Sequence, residues 1–163
     1  MPASPVPPEL SDWFAGKGWR LRDHQNAMLD ADDAGRHALL VADTGAGKTL
    51  AGFLPTLAAF TPSRLGGAQP PDGLHTVYVS PLKAVAHDVQ RNLMAPVEAL
   101  GLPLRIETRS GDTPSDRKAR QRARPPHVLL TTPESLSLLL SYPESFALFA
   151  SLRRIVIDEV HAF

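Results

Sequence analysis

The order of apolar runs and helical stretches in the sequence predicts an α/β fold, a parallel sheet flanked by helices. Three observations carry that reading. Short aliphatic runs recur between longer segments of helical pattern. One run leads through a glycine-rich turn straight into a helix, and the last run ends on two adjacent carboxylates, Asp158 and Glu159. Strands that alternate with helices need crossover connections and therefore lie parallel.

Each element follows from its residues. The Pro-rich start MPASPVPPE, residues 1–9, is expected to be extended and flexible, because proline fixes φ and removes a donor. A short helix is expected after Leu10, and residues 22–35 read as a second helix closed by Gly35. HALLVA, residues 37–42, is a compact apolar run and the expected first strand. GKTLAGFLPTLAAF, residues 47–60, is helical in pattern, with Pro55 removing one backbone donor and predicting a kink. Residues 61–73 are rich in Pro and Gly and predict a surface loop. HTVYVS, residues 75–80, is the second strand, followed by a long helix over residues 81–100 that Gly101 ends. LRIET, residues 104–108, is the third strand. Thr113, Pro114 and Asp116 read as N-cap, first and third positions of a basic helix that Pro125 and Pro126 stop. HVLLT, residues 127–131, is the fourth strand; Thr132, Pro133 and Glu134 open another helix, and RRIVID, residues 153–158, is the fifth strand.

Composition narrows the function classes. At 163 residues and 43% apolar content the chain can bury a core of domain size. The 17 basic and 17 acidic residues cancel, so a polyanionic partner needs a local patch rather than bulk charge. With no cysteine there is no disulfide or thiolate metal site, and none of the six histidines has a metal-ligand spacing, so no structural metal is expected. No apolar run is long enough to span a bilayer and the N-terminus lacks the regions of a signal peptide, which predicts a cytoplasmic protein with no membrane partner.

Chemistry enters at ADTGAGKT, residues 42–49. A strand, a glycine-rich turn and a helix in that order aim several backbone N–H groups at one point, where the helix dipole also favours an anion. Thr44, Gly45, Ala46 and Gly47 supply the turn, Lys48 a charge for β and γ phosphates, and Thr49 a hydroxyl for Mg²⁺. The general pattern has glycine at Ala42, and a common form of it has proline at Asp43; the carboxylate of Asp43 therefore stands near the expected phosphates. If a nucleotide sits there, a second strand should bring one carboxylate to the Mg²⁺ shell and another to orient the attacking water. Asp158 and Glu159 fit those roles.

The glycine-rich loop together with DEVH resembles the superfamily 2 helicases of DExH type. The stretches GLHTVYVSPLKAVAHDVQRNL, RSGDTPSDRKARQRARPP and HVLLTTPESLSLLL are similar to the large helicase-related (Lhr) family, most closely its bacterial ligase-associated DExH-box branch. The resemblance runs from about Trp13 to the last residue. It implies that residues 10–163 are part of a first RecA-like ATP-binding domain, using ATP and Mg²⁺. Gln25 matches the glutamine that reads adenine, Lys48, Asp158 and Glu159 the catalytic groups, with Thr49 and Asp158 on the Mg²⁺. His161 matches the histidine coupling nucleotide state to nucleic-acid contacts. Three segments match strand contacts: Ser80, Pro81, Leu82 and Lys83; Ser110, Gly111, Asp112 and Thr113; and Thr131, Thr132, Pro133 and Glu134.

Physically, each of these segments follows an expected strand, at the edge of a parallel sheet that faces its ligand, and helix N-termini there can hold phosphates without reading bases. The basic run Arg117, Lys118, Arg120, Arg122 and Arg124 reads more simply as a solvated helix face. The resemblance further implies the N-terminal part of an ATP-dependent DNA helicase or translocase of DNA repair, with DNA rather than RNA and a DNA ligase and nuclease as partners. A further strand between the first and last ones, and a second domain with arginine fingers, are expected outside this chain, which alone should be inactive. The alternatives are a non-motor P-loop NTPase and a non-enzymatic remnant that binds nucleotide or nucleic acid only.

Overall fold

The computed structural model describes residues 6–43 and 45–162. Thr44 of the expected phosphate loop and residues 1–5 of the Pro-rich start lie outside the described residues. The chain forms two compact units, one of residues up to Pro70 together with Ala95–Pro103, the other of Pro71–Met94 and the residues from Leu104 onward.

The first unit is built on helices. α1 (Pro8–Gly16) starts two residues before Leu10 rather than after it, because Pro8 occupies a first-turn site where the missing N–H costs nothing and φ is already helical. Its Phe14 joins Trp13 and Trp19 in edge-to-face contacts with centroids 5.2 to 6.4 Å apart. α2 (Asp23–Asp33) packs on α3 (Lys48–Ala59), which runs on through Pro55. The faces they bury include Leu29, Ala51, Leu54 and Leu57. Where a loop was expected, Pro62 starts a single helical turn, α4 (Pro62–Leu65). Glu9 of α1 accepts hydrogen bonds from the Ser63 N–H and hydroxyl, both at 2.7 Å, and so caps that turn from outside.

Residues 37–42 form no strand, contrary to the sequence expectation, and Leu39 and Val41 are 77% and 85% exposed. A strand satisfies its backbone through a neighbour, and no described strand pairs with this run.

The second unit holds the sheet, which among the described residues has four parallel strands rather than the five expected: β1 (Thr76–Val79), β2 (Ile106–Arg109), β3 (Val128–Thr131) and β4 (Arg154–Ile157), in the order β2-β3-β1-β4. Thr76 stands opposite both Val128 and Arg154, and Ile106 opposite Val128. β1 and β3 are buried at every position, which is why both read as unbroken apolar runs. One face of the sheet puts Val77, Val79 and Leu129 against Leu139 of α7 (Pro133–Leu140) and Leu148 of α8 (Ser145–Phe149), a short helix not expected from sequence. β4 is an edge strand with Ile155 and Ile157 more than half exposed.

The remaining helices are α5 (Lys83–Ala99), whose last turn from Ala95 counts with the first unit, and α6 (Ser115–Ala123). α6 begins one position later than expected, with Pro114 as N-cap. The Thr113 hydroxyl oxygen instead accepts the Ser110 N–H at 2.9 Å, closing a tight turn with the side chain that was expected to cap the helix. Among the described residues no helix is long and apolar enough to cross a membrane.

Candidate functional site

In the first unit the residues singled out cluster at the start of α3. Gly45 and Gly47 have φ of 81° and 77°, in the left-handed region open to glycine. Gly47 is the N-cap of α3, so the first-turn amides of that helix face the loop. The Ala46 N–H donates to Asp43 O at 3.1 Å, and Lys48 Nζ donates to Ala42 O, folding the cation back over the turn. Thr49 is half-buried in the first turn, whereas the Asp43 carboxylate lies on an exposed residue. Positive φ, first-turn amides and an adjacent ammonium together fit a bound phosphate chain.

Gln25 is only 4% exposed, and its carbonyl oxygen caps α2 by accepting the Arg22 N–H at 3.0 Å. Its Nε2 is 3.0 Å from where a Cβ on Gly47 would lie, so the glutamine packs directly against the loop.

In the second unit the other segments all follow the C-terminal ends of strands. After β1, Ser80 is fully buried and donates its N–H to Thr131 O at 3.1 Å, while Leu82 and Lys83 are exposed. After β2, Lys83 Nζ meets Asp112 Oδ2 at 2.7 Å, which holds the Asp112 carboxyl below the usual carboxylate range. Lys118 donates to Gly111 O at 2.9 Å. After β3, Thr131 Oγ1 donates to Arg109 O at 2.9 Å, Pro133 takes the first turn of α7, and Thr132 Oγ1 accepts the Ser135 N–H at 3.4 Å as the expected N-cap. The Glu134 carboxyl is lowered, first by a bond from its own backbone amide and then by the Thr132 hydroxyl. These contacts bring the three segments along one edge of the sheet.

After β4, both Asp158 oxygens are held: Oδ1 accepts the Glu159 N–H at 2.9 Å and Oδ2 the Tyr78 hydroxyl at 2.6 Å. The Asp158 N–H donates to Val79 O at 2.9 Å, extending the ladder by one residue. Glu159 has φ of 51°, exceptional among the described non-glycine residues, and is exposed. Its Oε2 is 3.4 Å from His161 Nε2, in a short 3₁₀ turn (Val160–Ala162). Hard carboxylate oxygens already oriented by two donors suit a divalent ion such as Mg²⁺.

Sequence reasoning missed two features. Tyr78 was read only as part of an apolar strand; the signal was a hydroxyl at a position that a buried strand fills with Val or Ile. Nor was Arg109 singled out, although it is 2% exposed and donates through Nη1 to Lys118 O and Gln121 Oε1. The basic run on α6 is partly engaged internally, with Arg120 on Glu107 at 2.7 Å and Arg122 over the Tyr142 ring at 4.4 Å.

A glycine-turn phosphate cradle ahead of a helix, and a parallel sheet with acids and helix N-termini along its C-terminal edge, define a RecA-like nucleotide-binding domain. Within that class, the chain belongs to the DEAD/DEAH box helicase family, whose pattern matches residues 22–163. It is 40% identical over 162 residues to the Lhr helicase/probable uracil glycosylase of Mycolicibacterium smegmatis, covering 93% of this chain and 10% of that protein. It is 34% identical over 164 residues to the ATP-dependent helicase Lhr-Core of Methanothermobacter thermautotrophicus, covering 95% of this chain and 19% of that one. The solved structure of Mycobacterium smegmatis helicase Lhr bound to ssDNA and AMP-PNP superposes with a TM-score of 0.81 at 37% identity, over 96% of this chain and 20% of that chain. The chain thus spans a fifth or less of these relatives.

Proposed function

We propose that this chain is the N-terminal part, residues 10–163 forming part of the first RecA-like domain, of a cytoplasmic ATP-dependent DNA helicase or translocase acting in DNA repair. The observation that carries the reading is the single sheet edge along which Asp158 and Glu159 follow β4 while three helix-opening or turn segments follow β1, β2 and β3. In this reading Gly45, Ala46, Gly47 and Lys48 hold the phosphates, and the ligand state of the Lhr relative supports ATP and single-stranded DNA as ligands. Gln25 contributes Nε2 and its remaining lone pair to adenine, since the other lone pair caps α2. Thr49 and Asp158 would hold Mg²⁺, which would supply positive charge to the phosphates. Glu159 orients and deprotonates the attacking water, and His161, beside it, links that carboxylate to the nucleic-acid segments. Ser80–Lys83, Ser110–Thr113 and Thr131–Glu134 grip the DNA backbone, through Lys83 and the α7 N-terminus above all. A DNA ligase and a nuclease are the proposed partners. The chain alone turns over poorly, because arginine fingers supplied from elsewhere in such motors contribute about 10³ to 10⁵ in rate.

The test is made in the full-length protein. Lys48→Ala abolishes ATP hydrolysis by removing the phosphate charge, whereas Glu159→Gln keeps nucleotide binding and loses hydrolysis. Wild-type turnover in either variant refutes the assignment.

A further inference from the structure

Tyr78 occupies the interior of β1, between Val77 and Val79, whose side chains take the opposite face of the sheet and enter its apolar core. The residue is 1% exposed. A phenylalanine would fill the same space without burying a hydroxyl, and a buried hydroxyl costs stability unless it is paired. Here the pairing is short and charge-assisted, 2.6 Å from the phenol to Asp158 Oδ2. Two residues on, and so on the same face of the strand, the fully buried Ser80 stands beside the Tyr78 phenol. The Ser80 oxygen in turn accepts the Leu82 N–H at 3.4 Å. Leu82 is 58% exposed and precedes Lys83, so a hydrogen bond from an open loop tip to Ser80, the packing of Ser80 beside Tyr78, and the phenol's bond to Asp158 lead in turn to the acid after β4.

We propose that Ser80, Tyr78 and Asp158 form a relay through which nucleic acid held at the loop after β1 sets the position of the Asp158 carboxylate, with Tyr78 as its positioning residue. The proposal rests on the reading of Asp158 and of Ser80–Lys83 given under Proposed function. The relay moves atoms and no protons. Burial and the neighbouring Asp158 push the Tyr78 phenol well above its ordinary value, so it stays a donor throughout the working range. A shift of the Leu82–Lys83 backbone displaces the Ser80 oxygen it bonds, the Tyr78 ring follows, and one of the two donors fixing Asp158 tilts. The other donor, the Glu159 N–H, does not depend on β1, so the carboxylate pivots about that bond.

The experiment measures coupling rather than turnover, in the full-length protein. Single-stranded DNA affinity is titrated by fluorescence anisotropy with and without saturating Mg²⁺ and a non-hydrolysable ATP analogue, for wild type, Tyr78→Phe, Ser80→Ala and Lys48→Ala. In wild type the ratio of the two affinities differs from one. In Tyr78→Phe that ratio moves toward one by roughly two- to thirtyfold, the range for residues that carry coupling between sites. Ser80→Ala moves it in the same direction, and it carries the test alone if Tyr78→Phe gives no cooperative melt. A merely structural Tyr78 would lower the melting temperature and leave the ratio intact, which overturns the relay; so does a wild-type ratio of one. Loss of analogue binding in Lys48→Ala with unchanged ratios in the other two variants removes the relay alone, whereas undiminished analogue binding in Lys48→Ala removes the nucleotide reading and the relay with it.

Discussion

Substitution of Gly47 by alanine tests the cradle where its geometry is tightest. Two costs add. A left-handed φ of 77° costs an L-residue about 1 to 2 kcal/mol. The new Cβ would also stand 3.0 Å from Gln25 Nε2, so the glutamine must turn away. An off-rotamer turn costs about 0.5 to 1.5 kcal/mol, and the Arg22 N–H bond it strains is worth a further 0.5 to 1.5 kcal/mol or so. Gly45 has nearly the same φ, 81°, but open space around its Cβ, so Gly45→Ala meets the backbone cost alone. With about 1.4 kcal/mol to each decade, Gly45→Ala weakens ATP-analogue binding by about tenfold and Gly47→Ala by about a hundredfold or somewhat more. The assay is equilibrium titration of a fluorescent ATP analogue on the full-length protein, run as a double-mutant cycle with Gln25→Ala. With the glutamine truncated, the penalty of Gly47→Ala falls to that of Gly45→Ala. A Gly47→Ala penalty of the same size in both Gln25 backgrounds would refute the reasoning, since the contact would then contribute nothing.

Asp43→Pro changes ATP-analogue affinity by no more than about fivefold, because an exposed carboxylate is screened; a tighter gain at low salt would show that it faces the phosphates. Lys83→Ala barely moves the melting temperature, its partner Asp112 being exposed, yet weakens single-stranded DNA binding and flattens its salt dependence; an unchanged salt slope in anisotropy titrations counts against the contact. His127 is 3% exposed and its Nδ1 accepts the Arg105 N–H, so burial lowers its pKa in the fold. Its contribution is present above the unfolded value of 6.5 and is lost as pH falls from there toward the lower folded value. The protection factor of the Val128 amide, which donates to Arg105 O, therefore falls between pH 7 and 5 once exchange is corrected for its intrinsic pH dependence; constant protection there would refute this. Residues 1–163 expressed alone associate through the bare edge of β4 and the exposed Leu39 and Val41, and show no DNA-stimulated hydrolysis above a Lys48→Ala control; a monomeric, active sample by light scattering and ATPase assay would contradict both points.

What was legible in the sequence was what local physics decides. Unbroken apolar runs gave β1 and β3 because buried parallel strands are apolar on both faces. Thr132 and Pro133 gave the start of α7 because capping is settled within four residues. Residues 37–42 have a strand's composition and no ladder, since pairing depends on a neighbour that composition does not specify. Thr113 illustrates competition at short range: one hydroxyl oxygen could serve helix or turn, and the turn won by reaching Ser110. For the site, the glycines, Lys48 and the DEVH acids were visible by type and spacing. Tyr78 was not, because its partner lies 80 residues away and only the register of β1 against β4 brings them together.

Glu159 carries a left-handed backbone, φ 51°, on a side chain that gains nothing from it. Its amide is bent round to bond the neighbouring Asp158, and that bend sends the two carboxylates in different directions from adjacent positions. Glycine at 159 would relax the chain, by about 1 kcal/mol, and remove the acid proposed above to orient the attacking water. If that proposal holds, selection for thermal resistance and selection for turnover pull this one codon in opposite directions, and a search for stabilised variants that scores melting alone is drawn toward loss of the acid.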